Sequence, residues 1–361
     1  MREGIKVEKV IVVGAAGVLG KLICTELLRI FNNSIKLVVT DYKTKRGENL
    51  ANSLNRGVKF QHLDVDNEEN IKKVIRNVDI VIVGLKQKTP SIQKTCIENK
   101  ILCIDVTPFY DFVETVQELN QSAEKNNTAS VVMSGFFPGL SGLITQKAIA
   151  EFQEITEINV ALLQNANAQA GVTGIFDMLS IIAQPVKFQN NVLSGFTKKR
   201  KMNFQNHAKE KVVRLIEHSE KMIIKEKLTV APIYYWTSWN VIPFNKFVSL
   251  LRKIGLLNIL QNLNKKLVSK VVKHNPNKNE NAFLTVEVKG NIDNKKMIRT
   301  ISLSTFSDYH TTAIVTASLA KIALKTDIKG VVYPFEITNL DELLSMANCS
   351  SIIVEDVKKQ Q

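Results

Sequence analysis

Over the first 134 residues, short apolar runs alternate with stretches whose apolar positions recur every three or four residues. The runs at 9–13, 36–40, 58–62, 80–83, 101–105 and 130–133 read as strands. The stretches at 18–31, 45–55, 67–76, 90–99 and 110–125 between them read as helices. Strands alternating with helices of this length predict the α/β class, a doubly wound parallel sheet covered on both faces.

The pattern changes after residue 133. A loop bearing glycine and proline at 135–142 feeds an apolar helix at about 142–153. A strand at 155–163, a polar stretch at 164–174, a helix at 175–183 and a basic region with hairpin-like strands follow. Two half-exposed strands, 282–288 and 297–306, look antiparallel; a helix at 311–325 and a short element at 340–347 end the chain. The expected division is therefore a first domain over 1–134 and an α+β domain over 135–325 with a mixed or antiparallel sheet.

The first strand runs into Gly14, Ala15, Ala16, Gly17, Val18, Leu19 and Gly20, and then a helix. Glycines spaced three apart at a strand-to-helix turn let the backbone approach a pyrophosphate, and the helix N-terminus presents N–H donors to it. Asp41 ends the next apolar run, where a carboxylate takes ribose hydroxyls. This makes 1–134 a Rossmann-type dinucleotide-binding domain, and the turn residues with Asp41 its cofactor-binding set. Asp41 would repel a 2′-phosphate, which favours NAD; Lys43, Lys45 and Arg46 follow at once and are able to neutralise one. The balance leans slightly to NAD and leaves NADP open.

The carboxyl ends of strands face the ligand crevice in such sheets. Lys86 follows the fourth strand; Asp105, Thr107 and Tyr110 end and follow the fifth. Lys86 and Tyr110 are candidate proton donors, and Asp105 and Thr107 candidates for orienting a substrate. Each has a bland alternative: a surface lysine, a packed aromatic, a helix cap. His310, at the start of the helix at 311–325, is a further candidate acid–base, although a single histidine there serves structure equally well. No His, Cys, Asp or Glu set has metal-ligand spacing, so no metal is expected.

Charge changes the picture in one place. The chain carries a net +14, yet residues 187–300 hold 23 Lys+Arg against 7 Asp+Glu, and the rest is nearly balanced. Tyr234, Tyr235, Trp236 and Trp239 precede a helical pattern over about 244–272 that contains no acidic residue. The segment 234–273 thus reads as a basic amphipathic insert suited to peripheral contact with anionic lipid; packing on the second domain or on a partner subunit is the alternative. No nucleic-acid recognition motif is present. No apolar run is long enough to span a bilayer, the first strand is too short for a signal peptide, and the four cysteines are scattered. The expected location is cytoplasmic, membrane-associated if the insert meets lipid.

The chain resembles the saccharopine dehydrogenase-like family of oxidoreductases. The resemblance is carried by the glycine turn, by Ile104-Asp105-Val106-Thr107, by Gly135-Phe136-Phe137-Pro138-Gly139-Leu140, by Asp308-Tyr309-His310-Thr311-Thr312-Ala313 and by the run from Gly330 to Glu336. It implies an α+β domain that shapes the substrate site and often the dimer, hence a homo-oligomer. It also implies that the last segment, about 326–361, packs back on the nucleotide domain, and that the reaction is oxidoreduction at an amine or imine carbon. Pro334-Phe335-Glu336 interrupts the commoner Pro-Glu pair of that family.

The reading that follows is an NAD(P)-dependent oxidoreductase transferring hydride at a C–N or C–O carbon of a small molecule. A membrane-peripheral nucleotide-binding protein without catalysis is the alternative. A short-chain-type reductase is disfavoured, because none of the six tyrosines has a lysine four residues later to lower its pKa.

Overall fold

The strands of the computed structural model, in chain order, begin with β1 (Lys9–Val13), β2 (Lys36–Asp41), β3 (Lys59–His62), β4 (Ile80–Val83), β5 (Leu102–Asp105) and β6 (Ala129–Val131). Next come β7 (Glu154–Gln164), β8 (Pro185–Phe188), β9 (Asn191–Ser194), β10 (Lys199–Met202), β11 (Lys211–Ile216) and β12 (Ile233–Trp239). The last are β13 (Ala282–Ile292), β14 (Lys295–Thr305), β15 (Gly330–Val332) and β16 (Ile353–Gln360). The structure describes residues 7–54, 57–169, 172–255 and 274–361. The chain divides into two units, one of Met1–Leu143 with His310–Asn348 and one of Ile144–Tyr309 with Cys349–Gln361.

The first unit holds a seven-stranded sheet in the order β15-β6-β5-β4-β1-β2-β3, every pair parallel. The central strands are β-branched and buried along their length, as both-face coverage requires. Ile11, Val13, Val81 and Val83 pack with Ile71, Ile75 and Ile92 from helices on one side. The edge strand β3 is mostly exposed, and its Lys59, Gln61 and His62 are polar. The helical stretch expected at 110–125 is two helices, Tyr110–Gln117 and Asn120–Lys125.

The expected division at residue 134 is corrected by the path of the chain after 309. The helix Asp308–Ala323 is buried on nearly all sides and, through the Thr316 hydroxyl, donates to the Ser134 carbonyl at 2.8 Å. A helix with buried residues on nearly every side, polar Thr311, Thr316 and Ser318 among them, has no broad solvent face to give to a surface position, and most of it enters the first unit. Gly330–Val332 then extends the parallel sheet beside β6, its Val331 N–H donating to Asn120 Oδ1 at 2.7 Å. The stretch from 326 onward divides: β15 lies in the first sheet, β16 in the sheet of the second unit.

The second unit carries a seven-stranded sheet in the order β10-β11-β12-β7-β13-β14-β16. Only β12 and β7 are parallel, so the sheet is mixed. Its register aligns Ile158, Val160 and Leu162 with Val288, Val286 and Leu284 on one buried face. On the other face Trp236, Leu215, Val213 and Met202 pack beneath Val186 of the β8–β9 hairpin.

The aromatics expected at an interface are corrected here. Tyr234, Tyr235 and Trp236 lie in β12 at 7, 1 and 1 % exposure, and the Trp236 indole donates to Asn159 Oδ1 at 2.9 Å. Alternation along a strand turns successive side chains into opposite buried faces, and aromatics fill both. The helix begins at Ile242 and runs to Lys253; the part of the insert over 256–273 lies outside the described residues.

Candidate functional site

Everything at this site belongs to the first unit. The strand order reverses beside β1: β2 and β3 lie on one side of it, β4, β5 and β6 on the other. Such a switch point opens a crevice at the carboxyl ends of the strands. The register sets Val13 beside Val83 and Val83 beside Asp105, so the turn after β1 and the loops after β4 and β5 emerge together.

The turn is held by backbone alone. Gly14 has φ +75°, and its carbonyl accepts from Gly17 N–H at 3.0 Å. A Cβ at Gly14 would lie 2.8 Å from the Leu85 side chain; one at Gly20 would lie 2.3 Å from the Gly14 carbonyl oxygen. Both glycines therefore answer to close approach: the first to the loop after β4, the second to the helix against its own turn. The helix Val18–Ile30 starts at Gly17 with no side-chain cap and no acidic residue in its first turn. Ala15 and Ala16 are buried in the bend, and Val18 and Leu19 form the first helical turn. A strand, a tight turn and an uncapped helix start are what a pyrophosphate needs, so these residues fit a dinucleotide.

Asp41 ends β2 with 3 % exposure. One carboxylate oxygen accepts the Lys43 N–H at 2.8 Å; the other accepts Arg46 Nη2 at 2.6 Å and Nε at 3.0 Å. The Arg46 guanidinium and the Lys43 ammonium both lie over the exposed Tyr42 ring, 5.4 and 5.3 Å from its centre. The carboxylate is thus matched by a guanidinium that is itself half-exposed.

The loops after β4 and β5 are tied by one buried carboxylate. Asp105 is fully buried, and its Oδ2 accepts from Gln87 Nε2 at 2.8 Å and Gln93 Nε2 at 2.5 Å. Its Oδ1 accepts the Thr107 N–H at 2.7 Å, and its carbonyl accepts the Ser134 N–H at 2.9 Å. Burial pushes its carboxyl up to about 6, held from rising further by the hydrogen bonds from Thr107, Gln87 and Gln93. Thr107 is itself buried, and the turn it opens carries Phe109, whose ring lies 4.0 Å below the exposed Lys86 ammonium. Tyr110 is half-buried and opens the helix Tyr110–Gln117.

His310 is placed elsewhere on the unit. Its Nε2 meets Glu26 Oε1 at 2.8 Å, and Arg29 Nε meets the other oxygen of Glu26 at 2.7 Å. Glu26 stands eight residues beyond the helix start at Val18, about 12 Å along the axis, and about 9 Å beyond Gly20, at 1.5 Å per residue. Burial raises the Glu26 carboxyl, but the hydrogen bonds from His310 and Arg29 outweigh it and hold the group below its ordinary range.

The structure therefore gathers the 14–20 turn, Asp41, Lys86, Asp105, Thr107 and Tyr110 at the carboxyl edge of one sheet, and sets His310 apart. The sequence reading missed Gln87, Gln93 and Phe109. Gln87 adjoins Lys86 in sequence, which is the one local signal for it; Gln93 is brought in only by the turn of a helix.

Residues 10–131 match the family model described as the saccharopine dehydrogenase NADP binding domain. No curated protein matches the sequence. Among solved structures, apo saccharopine dehydrogenase (L-Glu forming) from Saccharomyces cerevisiae superposes with a TM-score of 0.73 at 14 % identity, covering 98 % of this chain and 100 % of that one. An engineered D-amino acid dehydrogenase bound to NADP+ gives 0.50 at 11 % identity, with 94 and 99 % covered. The DAP dehydrogenase of C. glutamicum in complex with DAP gives 0.49 at 12 % identity, with 94 and 98 % covered.

Proposed function

We propose that this chain, a member of the saccharopine dehydrogenase-like family, is an NADP-dependent oxidoreductase acting at a carbon bonded to nitrogen in a small molecule. The observation that carries the reading is the convergence of the glycine turn with the loops after β4 and β5, through the contact of Gly14 with Leu85. The resemblance implied by the sequence and the family description of residues 10–131 support the same cofactor class. The slight lean to NAD gives way to NADP on two grounds: the family's description, and the Arg46 guanidinium that already neutralises Asp41 and is exposed enough to meet a 2′-phosphate. The L-Glu-forming activity of the yeast structure supports carbon–nitrogen over carbon–oxygen chemistry.

NADP, when bound, supplies or accepts the hydride. The chain's own part is to grip and orient, and to move one proton. Gly14, Gly17 and Gly20 admit the pyrophosphate, and Asp41 with Arg46 takes the ribose and its phosphate. Lys86 is the proton donor or acceptor, since it stands next to the residue that packs on Gly14. Asp105 positions it: the carboxylate fixes Gln87, beside Lys86, and Thr107, two residues before the ring beneath the lysine.

Fluorescence titration with NADPH and NADH tests this. Saturable binding is expected for both, tighter for NADPH, with Arg46→Ala removing most of that preference and Gly20→Val abolishing binding. A protein that binds neither nucleotide sinks the proposal. A panel of keto acids offered with amino acids, read as NADPH consumption, then addresses the substrate; Lys86→Met is expected to lower turnover by about a hundredfold while leaving NADPH binding intact.

A further inference from the structure

The helix Ile242–Lys253 in the second unit is turned inside out. Its buried residues are Asn245, Val248 and Ser249. Asn245 is bound to the backbone of Trp239 at both N–H and carbonyl, 2.9 and 2.6 Å, and Ser249 Oγ accepts from the buried Arg214 at 3.2 Å. Arg252 closes the last turn on the Ala183 carbonyl at 2.7 Å. These bonds fix which side faces in. The side facing out carries Ile242, Phe247, Leu250 and, just past the end, Ile254, at 68, 55, 55 and 57 % exposure. An amphipathic helix of a globular protein puts polar residues outward. Here hydrogen bonds hold a largely polar face inward and leave large apolar side chains in water, and a cluster of this kind marks a docking surface.

Charge identifies the occupant. Lys246 and Lys253 are exposed on this helix. From 227 to 279 the sequence has nine Lys or Arg and no Asp or Glu. A second copy docking through the same face would bring two sets of Lys246 and Lys253 together on a helix that holds no Asp or Glu to pair with them, and like charges repel. An anionic membrane surface accepts both features: apolar side chains enter the acyl boundary while lysines reach the headgroups. We infer that the exposed face of Ile242–Lys253 seats the protein on anionic lipid. The inference is independent of the nucleotide site.

The test is co-sedimentation of the full chain with phosphatidylcholine vesicles, with and without phosphatidylglycerol. Binding is expected only to vesicles containing phosphatidylglycerol, weakening as salt is raised. Phe247→Ser with Leu250→Ser should abolish it, and Lys246→Glu with Lys253→Glu should weaken it at least about tenfold. All four positions are exposed, so thermal unfolding should stay near that of the native sequence. Absence of vesicle binding, or binding by either double variant equal to that of the native sequence, overturns the inference. So does light scattering that shows a dimer reduced to a monomer by Phe247→Ser with Leu250→Ser, since the face would then be a self-contact.

Discussion

At the scale of single residues, Asp105 illustrates how a candidate substrate ligand becomes a structural group. Its carboxylate oxygens are taken by two amides and a backbone N–H, all inside the unit. Its ordinary value of 3.8 rises to about 6 because burial disfavours the charge. Folding therefore favours the protonated form. Its contribution to stability is full below about 3.8 and is lost as pH rises through about 6, roughly 3 kcal/mol in all. Urea unfolding of the native sequence and of Asp105→Asn across this range should show the native protein losing stability relative to the variant as pH rises. Parallel curves would refute the assignment. Asp41 offers a related case: the carboxylate is legible at the end of its strand, but its pairing with the Arg46 guanidinium is set by the fold.

At the scale of elements, the helix Val18–Ile30 does two jobs from its two ends. Its start faces the glycine turn; its third turn holds Glu26 between His310 and Arg29, and Arg29 Nη2 donates onward to the Ala347 carbonyl at 2.9 Å. Three helices far apart in sequence are joined through one buried carboxylate. His310→Ala should cost about 1–2 kcal/mol in urea unfolding, because it removes a hydrogen-bonded partner from a buried carboxylate. NADPH affinity should be unchanged, since the pair is about two turns from the glycines. Loss of turnover without loss of stability would instead give His310 a chemical role. Glu26 is held below its usual 4.5, so the stability it lends is present above that value and disappears as the pH falls through its lowered one. Acid unfolding of His310→Ala should accordingly begin at higher pH than that of the native sequence.

At the scale of the whole molecule, the first unit is built from two separated pieces of chain. Residues 1–143 lack the seventh strand and the buried helix that 310–348 supply. A fragment of residues 1–143 should therefore melt without cooperativity or aggregate, exposing the edge of β6. The same fragment joined to 310–348 by a flexible linker should regain a cooperative thermal transition and NADPH binding. A stable, cooperative fragment of 1–143 would mean that the C-terminal piece is dispensable.

The sequence by itself determined the parallel sheet, its strand ends to within a residue or two and the glycine turn, because these rest on local signals. A run of buried β-branched residues, a glycine at positive φ and a carboxylate at a strand end each depend on near neighbours. The tertiary structure alone decided that Gly330–Val332 completes the first sheet, that Gln87 and Gln93 converge on Asp105, that His310 serves Glu26 away from the nucleotide turn, and that Tyr234, Tyr235 and Trp236 are core. It also decided which side of Ile242–Lys253 meets water. Periodicity shows that a helix has two faces. Which one is buried depends on bonds to Trp239 and Arg214, and those partners are set only when the sheet has formed.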